Sequence, residues 1–183
     1  MDYKLLILDK DGTIVRPKSG EQFVKDPADQ AIIPSAMAAL SRPEYKLTWK
    51  VIASNQGGVE AGHKTTMQAI QEMQYLMLLC PLIKCCYFAP GIEKEDACIC
   101  VEDGGYVATV SEVYKSFHSF RKPGPGMLKL AIHRVSRFLG LTSDELRAKT
   151  LFVGDRPEDE QAAKRAEVAF QWADQWRGDV SGV

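Results

Sequence analysis

The 183-residue chain is 45% hydrophobic and 26% charged, an ordinary balance for a globular protein with a sizeable core. Its formal net charge of -1 excludes bulk attraction to nucleic acid or an anionic membrane, although a local basic patch stays open. No apolar stretch reaches membrane-spanning length and no secretory leader is read, so a cytoplasmic location is expected; the length predicts a single domain over 1–183, and a monomer is expected.

The apolar run Leu5-Leu6-Ile7-Leu8 predicts a buried parallel strand over about Lys4 to Leu8, which ends at Asp9-Lys10-Asp11-Gly12-Thr13. A polar loop follows from Arg16 to about Ile33, and Pro34-Ser35 opens a short helix through Leu40. Trp49 to Ala53 predicts a second strand, ending at Ser54-Asn55-Gln56-Gly57-Gly58. Glu60 to Leu79 reads as a helix with Ile70, Met73, Leu76 and Met77 on its buried side, and Met67 is expected to fill core with Met73 and Met77. Cys85 to Ala89 is a third strand. Ala97–Val101 and Tyr106–Val110 read as a hairpin turning at Gly104-Gly105, an insertion near 97–110. After Lys122-Pro123 come a helix over Gly124–Leu139, a core strand over Leu151–Val153 ending at Gly154-Asp155, a helix over Asp159–Ala166 and a short strand over Val168–Phe170. The tail beyond Arg177 is expected to be loose. This alternation predicts a doubly wound α/β fold.

Each candidate site is read as following a strand, and parallel strands aim their carboxyl ends at one sheet edge. Asp9 and Asp11 are two residues apart, close enough to share a divalent cation and to divide labour, one attacking phosphorus and the other handling the proton. Ser54 and Asn55 offer a hydroxyl and backbone N–H groups to phosphoryl oxygens, or simply form a turn. Lys122 supplies a point charge for phosphate, and the helix N-terminus behind it adds partial positive charge. Arg121 and Lys10 are candidates for substrate contact, the plainer reading of Arg121-Lys122 being a solvated basic pair. In Gly154-Asp155-Arg156-Pro157-Glu158-Asp159, Asp155 can complete an oxygen shell around Mg²⁺ and Asp159 can orient it from behind. The same acids also suit a helix N-terminus.

Together these motifs resemble the haloacid dehalogenase superfamily of phosphotransferases, over roughly Leu5 to Ala166. The resemblance implies a Rossmann-like core and Mg²⁺ dependence. It implies Asp9 as nucleophile, Asp11 as general acid/base, and Ser54 and Lys122 as holders of the phosphoryl group. Mg²⁺ would be bound by Asp155, Asp9 and the backbone carbonyl of Asp11, with Asp159 in support. An acid at Asp11 favours hydrolysis over a long-lived aspartyl-phosphate, because it can protonate the leaving oxygen and then activate water.

The gaps between motifs leave minimal or no cap. Ser-Asn-Gln-Gly-Gly (54–58), Arg-Lys-Pro-Gly-Pro-Gly-Met (121–127) and Val-Gly-Asp-Arg-Pro-Glu-Asp (153–159) are similar to the capless subgroup of histidinol-phosphate and heptose-bisphosphate phosphatases and polynucleotide 3′-phosphatase domains. An open site suits a small phosphomonoester such as a sugar phosphate or histidinol phosphate. The end of a nucleic acid is the alternative, and a phosphate-binding pseudoenzyme is an alternative of another class. The five cysteines read as reduced and buried, and no four-ligand set for zinc is evident around Cys85, Cys86, Cys98 and Cys100. The aromatic and basic stretch from Pro90 to Phe120, with Lys94, Tyr106, Tyr114, Lys115, Phe117 and His118, is the candidate specificity element, or ordinary hairpin packing.

Overall fold

The computed structural model describes residues 2–22, 24, 26–91, 97–105, 107–110 and 119–179. In chain order its elements begin with β1 (Leu5–Leu8), β2 (Val15–Arg16), β3 (Ala31–Ile32), α1 (Pro34–Leu40), β4 (Trp49–Asn55), α2 (Thr66–Leu79) and β5 (Cys85–Ala89). They continue with β6 (Cys98–Glu102), β7 (Val107–Val110), α3 (Gly126–Leu139), α4 (Ser143–Arg147), β8 (Thr150–Gly154), α5 (Pro157–Ala166), β9 (Ala169–Trp172) and α6 (Ala173–Arg177).

The main sheet has the order β7-β6-β5-β4-β1-β8-β9. Its five central and right-hand strands are mutually parallel, and β6 and β7 close the left edge in antiparallel fashion. The apolar run of β1 is explained by burial on both faces. Leu6 and Leu8 pack with residues of α1, α2 and α6, while Leu5 and Ile7 pack with residues of α3, α4 and α5. Helices on both faces of a mostly parallel sheet make the doubly wound architecture expected from the alternation of elements.

Several local readings are corrected. The helix expected from Glu60 begins at Thr66, because Thr65 and Gln68 form a reciprocal capping box. Thr65 Oγ1 accepts the Gln68 N–H at 3.1 Å, and Gln68 Oε1 accepts the Thr65 N–H at 2.8 Å. Met67, in the first turn of α2, is 60% exposed, whereas Met73 and Met77 are in the core. The loop expected over 16–33 contains a small antiparallel ribbon, Val15 opposite Ile32 and Arg16 opposite Ala31. The hairpin read as an insertion continues the main sheet, since β6 pairs along β5 from Cys85–Glu102 to Phe88–Ile99. Tyr106 of that hairpin lies outside the described residues. The stretch after β9 forms α6, with Trp176 wholly buried, and Arg177 and Asp179 are bonded to each other at 2.5 Å. Among the described residues no helix is long and apolar enough to cross a membrane.

Candidate active site

Parallel register gathers the motifs. Leu8 is level with Ile52 of β4 and Val153 of β8, so Asp9 emerges between Ala53-Ser54 and Gly154-Asp155. The Asp9 N–H is still tied to the Val153 carbonyl at 2.8 Å. Lys122 enters from the loop before α3. Its Nζ donates to Asp9 Oδ1 at 2.5 Å and to the Ala53 carbonyl at 2.9 Å, and it pairs with Asp159 Oδ1 at 2.6 Å.

Asp9 is 7% exposed, and its carboxyl is pushed up to about 7. Burial is the main cause, the Lys122 charge opposes it, and Asp159 and Asp11 add repulsion. Lys122 is held above the ordinary ammonium value. Burial works against its charge, but the carboxylates of Asp9 and Asp159 outweigh it. Asp155, exposed at the cleft, is also raised, chiefly by partial desolvation and then by the Asp159 charge.

Asp159 organises the last motif. Its Oδ2 accepts the backbone N–H groups of Asp155 at 3.2 Å and Arg156 at 3.1 Å, fixing the start of α5. The approach is so close that a Cβ on Gly154 would stand 2.4 Å from the Asp159 Cβ. Gly12 is needed for two reasons. Its φ is +80°, and a Cβ there would lie 2.2 Å from Asp155 Oδ2. Carboxylate oxygens of Asp9, Asp155 and Asp159 come within 4.8 Å of one another. That hard, all-oxygen set on a glycine-permitted close approach fits a divalent cation such as Mg²⁺.

The remaining sequence-derived candidates have distinct placements. Ser54 is buried at the cleft floor, and its Oγ accepts from Gln56 Nε2 at 2.9 Å. Asn55, expected to meet phosphate through its backbone N–H, has its side chain committed to the backbone of Lys122. Its Oδ1 accepts the Lys122 N–H and its Nδ2 donates to the Lys122 carbonyl, both at 2.9 Å. Arg121 donates to the Gly91 carbonyl at 3.0 Å, which anchors the loop against the segment after β5. The Asp11 carboxylate stands apart from the three-carboxylate cluster and bonds Lys10 and Gln56 instead. Lys10, read as a candidate for substrate contact, is corrected. It is 0% exposed, and its ammonium meets Asp11 at 2.6 Å and Glu72 at 3.4 Å. Burial alone would push that ammonium down, yet the two carboxylates hold it above its ordinary value.

Sequence reasoning gave no role to Gln56, Glu72 or Gln30, which pack with Lys64 behind Asp11. A signal existed for Glu72, an acid among Ile70, Met73 and Leu76 on the apolar side of α2. Lys94, Tyr114, Lys115, Phe117 and His118 of the expected specificity element lie outside the described residues, while Phe120 is core. All five cysteines are free and buried. Cys85, Cys100 and Glu102 bring ligand atoms within 4.8 Å of one another. Arg134 donates to Cys100 Sγ at 2.9 Å and pairs with Glu102, so a guanidinium already supplies positive charge there.

Comparison with known proteins shows the family. The profile of the family described as polynucleotide kinase 3 phosphatase matches residues 4–178. D-glycero-beta-D-manno-heptose-1,7-bisphosphate 7-phosphatase of Bordetella bronchiseptica is 28% identical over 170 residues, 91% of this chain and 78% of that protein. Its namesake in Mesorhizobium japonicum is 25% identical over 177 residues, 91% of this chain and 67% of that protein. The crystal structure of D,D-heptose 1.7-bisphosphate phosphatase from B. bronchiseptica, complexed with magnesium and phosphate, shares the fold. Its TM-score is 0.61 at 24% identity, over 91% of this chain and 78% of that one. With the four motifs gathered at one sheet edge and the family profile spanning nearly the whole chain, the protein belongs to the polynucleotide kinase 3 phosphatase family and is a phosphatase of the haloacid dehalogenase type.

Proposed function

We propose that the protein is a Mg²⁺-dependent phosphomonoesterase that works through an aspartyl-phosphate on Asp9, with a small phosphorylated sugar as substrate. The observation that supports it best is Asp9 itself: a carboxylate at the end of β1, with Lys122 Nζ on one oxygen and Asp11 two residues on. Asp9 attacks phosphorus in line, forming the acyl-phosphate bond as the ester P–O bond breaks. Asp11 gives its proton to the departing oxygen. It then takes a proton from the water that attacks the aspartyl-phosphate, which frees phosphate and restores Asp9. Lys122 and Ser54 hold the phosphoryl oxygens, and Asn55 keeps Lys122 in place through its backbone. Asp9, Asp155 and the carbonyl of Asp11 would hold Mg²⁺, with Asp159 in support. When bound, the ion offsets the charge of the phosphoryl group and of the surrounding carboxylates.

The sugar-phosphate reading is supported by the two heptose-bisphosphate phosphatases that match most of the chain and by the near-neutral net charge. The family description supports a second reading, removal of a 3′-phosphate from a nucleic-acid end. Phosphate release separates them when measured on heptose and hexose phosphates, histidinol phosphate and a 3′-phosphorylated oligonucleotide, each with Mg²⁺ and with EDTA. Mg²⁺-dependent release from the sugar phosphates alone is expected, and preference for the oligonucleotide selects the second reading. Asp9→Asn is expected to lower turnover by at least about 10³-fold with an unchanged circular dichroism spectrum. Activity retained by the pure variant would remove Asp9 as nucleophile.

A further inference from the structure

Behind Asp11 lies a ring of buried and half-buried polar contacts that the reaction above leaves unused. Lys10 Nζ donates to Asp11 Oδ1 at 2.6 Å and pairs with Glu72 Oε2 at 3.4 Å. Lys64 Nζ donates to Glu72 Oε1 at 2.5 Å and to Gln56 Oε1 at 3.0 Å. Gln56 Nε2 then returns to Asp11 Oδ2 at 3.3 Å and to Ser54 Oγ at 2.9 Å. Gln30 braces the inner side, with Oε1 3.4 Å from Lys10 Nζ and Nε2 donating to the carbonyls of Glu72 at 3.1 Å and Pro27 at 2.7 Å.

Packing does not account for this ring. Glu72 is 1% exposed on a helix face otherwise built from Ile70, Met73 and Leu76. Burying the Glu72 carboxylate with the Lys10 ammonium carries a desolvation penalty that well-packed apolar side chains of similar volume avoid, often with equal or better stability. The ring instead ends on one functional group. Its two arms reach different oxygens of Asp11, from Lys10 on one side and Gln56 on the other, and Glu72 anchors both arms. Two donors on opposite oxygens restrict rotation of the carboxyl group, which a general acid needs if it is to meet the leaving oxygen in line.

We propose that Glu72, acting through Lys10, Lys64 and Gln56, is a positioning residue that orients the Asp11 carboxyl for proton delivery to the leaving group. This rests on the assignment of Asp11 as the general acid. Lys10 is thereby a strut behind the site, and the short spacing of Asp9-Lys10-Asp11 places two functional carboxylates on the cleft side and their support on the other.

The test uses the dependence on leaving group. An alkoxide must be protonated as it departs, whereas p-nitrophenolate leaves without help. The quantity to compare is kcat/KM at saturating Mg²⁺, because it reports only the steps up to departure of the leaving group. The substrates are p-nitrophenyl phosphate and the sugar phosphate turned over fastest by the wild type. For Glu72→Gln we expect a loss of about 10- to 100-fold on the sugar phosphate and less than about threefold on the aryl ester. Glu72→Asp should recover part of the loss. Asp11→Asn is measured alongside. If Asp11→Asn lowers both substrates equally, the assignment of Asp11 as general acid fails. If Asp11→Asn shows the selective loss while Glu72→Gln keeps the wild-type ratio, or loses both substrates by one factor, the positioning role fails and Glu72 is structural. Should Glu72→Gln not fold, Lys64→Met opens the ring at a half-buried position and is read by the same ratio.

Discussion

Asp9 is deeply buried, and its carboxyl titrates near 7 because the desolvation of its charge exceeds the help from Lys122. The consequence for stability has a definite sign. The folded value lies above the ordinary 3.8, so between these two values the folded chain holds a proton that the unfolded chain has lost. The stability linked to that proton is complete below 3.8 and is lost as pH rises through about 7. Asparagine at position 9 carries no such proton. In EDTA, the Tm of the wild type should therefore fall relative to that of Asp9→Asn as pH rises from about 4 to about 8. A constant difference across the range would show that burial does not perturb Asp9. Lys10 teaches a related lesson at the same scale. It was a candidate for substrate contact, but a ligand cannot reach a side chain that is fully enclosed. Nothing in the Asp-Lys-Asp tripeptide says which side chain turns inward, because that depends on Glu72, far along the chain and on another element.

At the scale of elements, the apolar strands were legible because burial on both faces demands continuous hydrophobicity, as in Leu5–Leu8 and residues 151–153 of β8. Helix starts were less so. Glu60 to Lys64 has no residue that forbids helix, yet α2 waits for the capping box at Thr65 and Gln68, and Gly62 at φ +75° turns the chain before it. Thr65→Ala removes the side-chain half of that cap and should cost about 1 kcal/mol of stability, read as a lower urea midpoint with an unchanged m value. An unchanged midpoint would mean that packing alone sets the start of α2. The β6–β7 hairpin was recognised from Gly104-Gly105 and its flanking strands, but not its union with β5. A two-residue repeat reports which residues alternate, not which neighbour they pair with.

Across the whole molecule, the two ends of the described chain meet at the site. Arg177, in the last helix, donates through Nη1 to the carbonyls of Gly12 at 2.8 Å and Thr13 at 3.0 Å, and its Nε is held by Asp179 at 2.5 Å. It thus clamps the turn that follows Asp11. Arg177→Ala should cost about 1–2 kcal/mol in urea unfolding and lower kcat/KM as the turn loosens, and a variant with wild-type values in both would show the clamp to be dispensable. Helix α6, to which the sequence reading assigned no element, is therefore part of the support of the first motif. By itself, the sequence determined the α/β class, the order of motifs and the residue types at the cleft. Those features follow from local patterns: continuous apolar runs, turn-forming glycines and carboxylates placed directly after strands. Only the tertiary structure decided that Asn55 holds the Lys122 backbone, that Lys10 faces inward, and that Glu72 and Arg177 support the Asp9–Thr13 turn. Each of these contacts joins residues distant in sequence, and the packing of helices and loops against the sheet, not any periodicity within one segment, brings them within bonding distance.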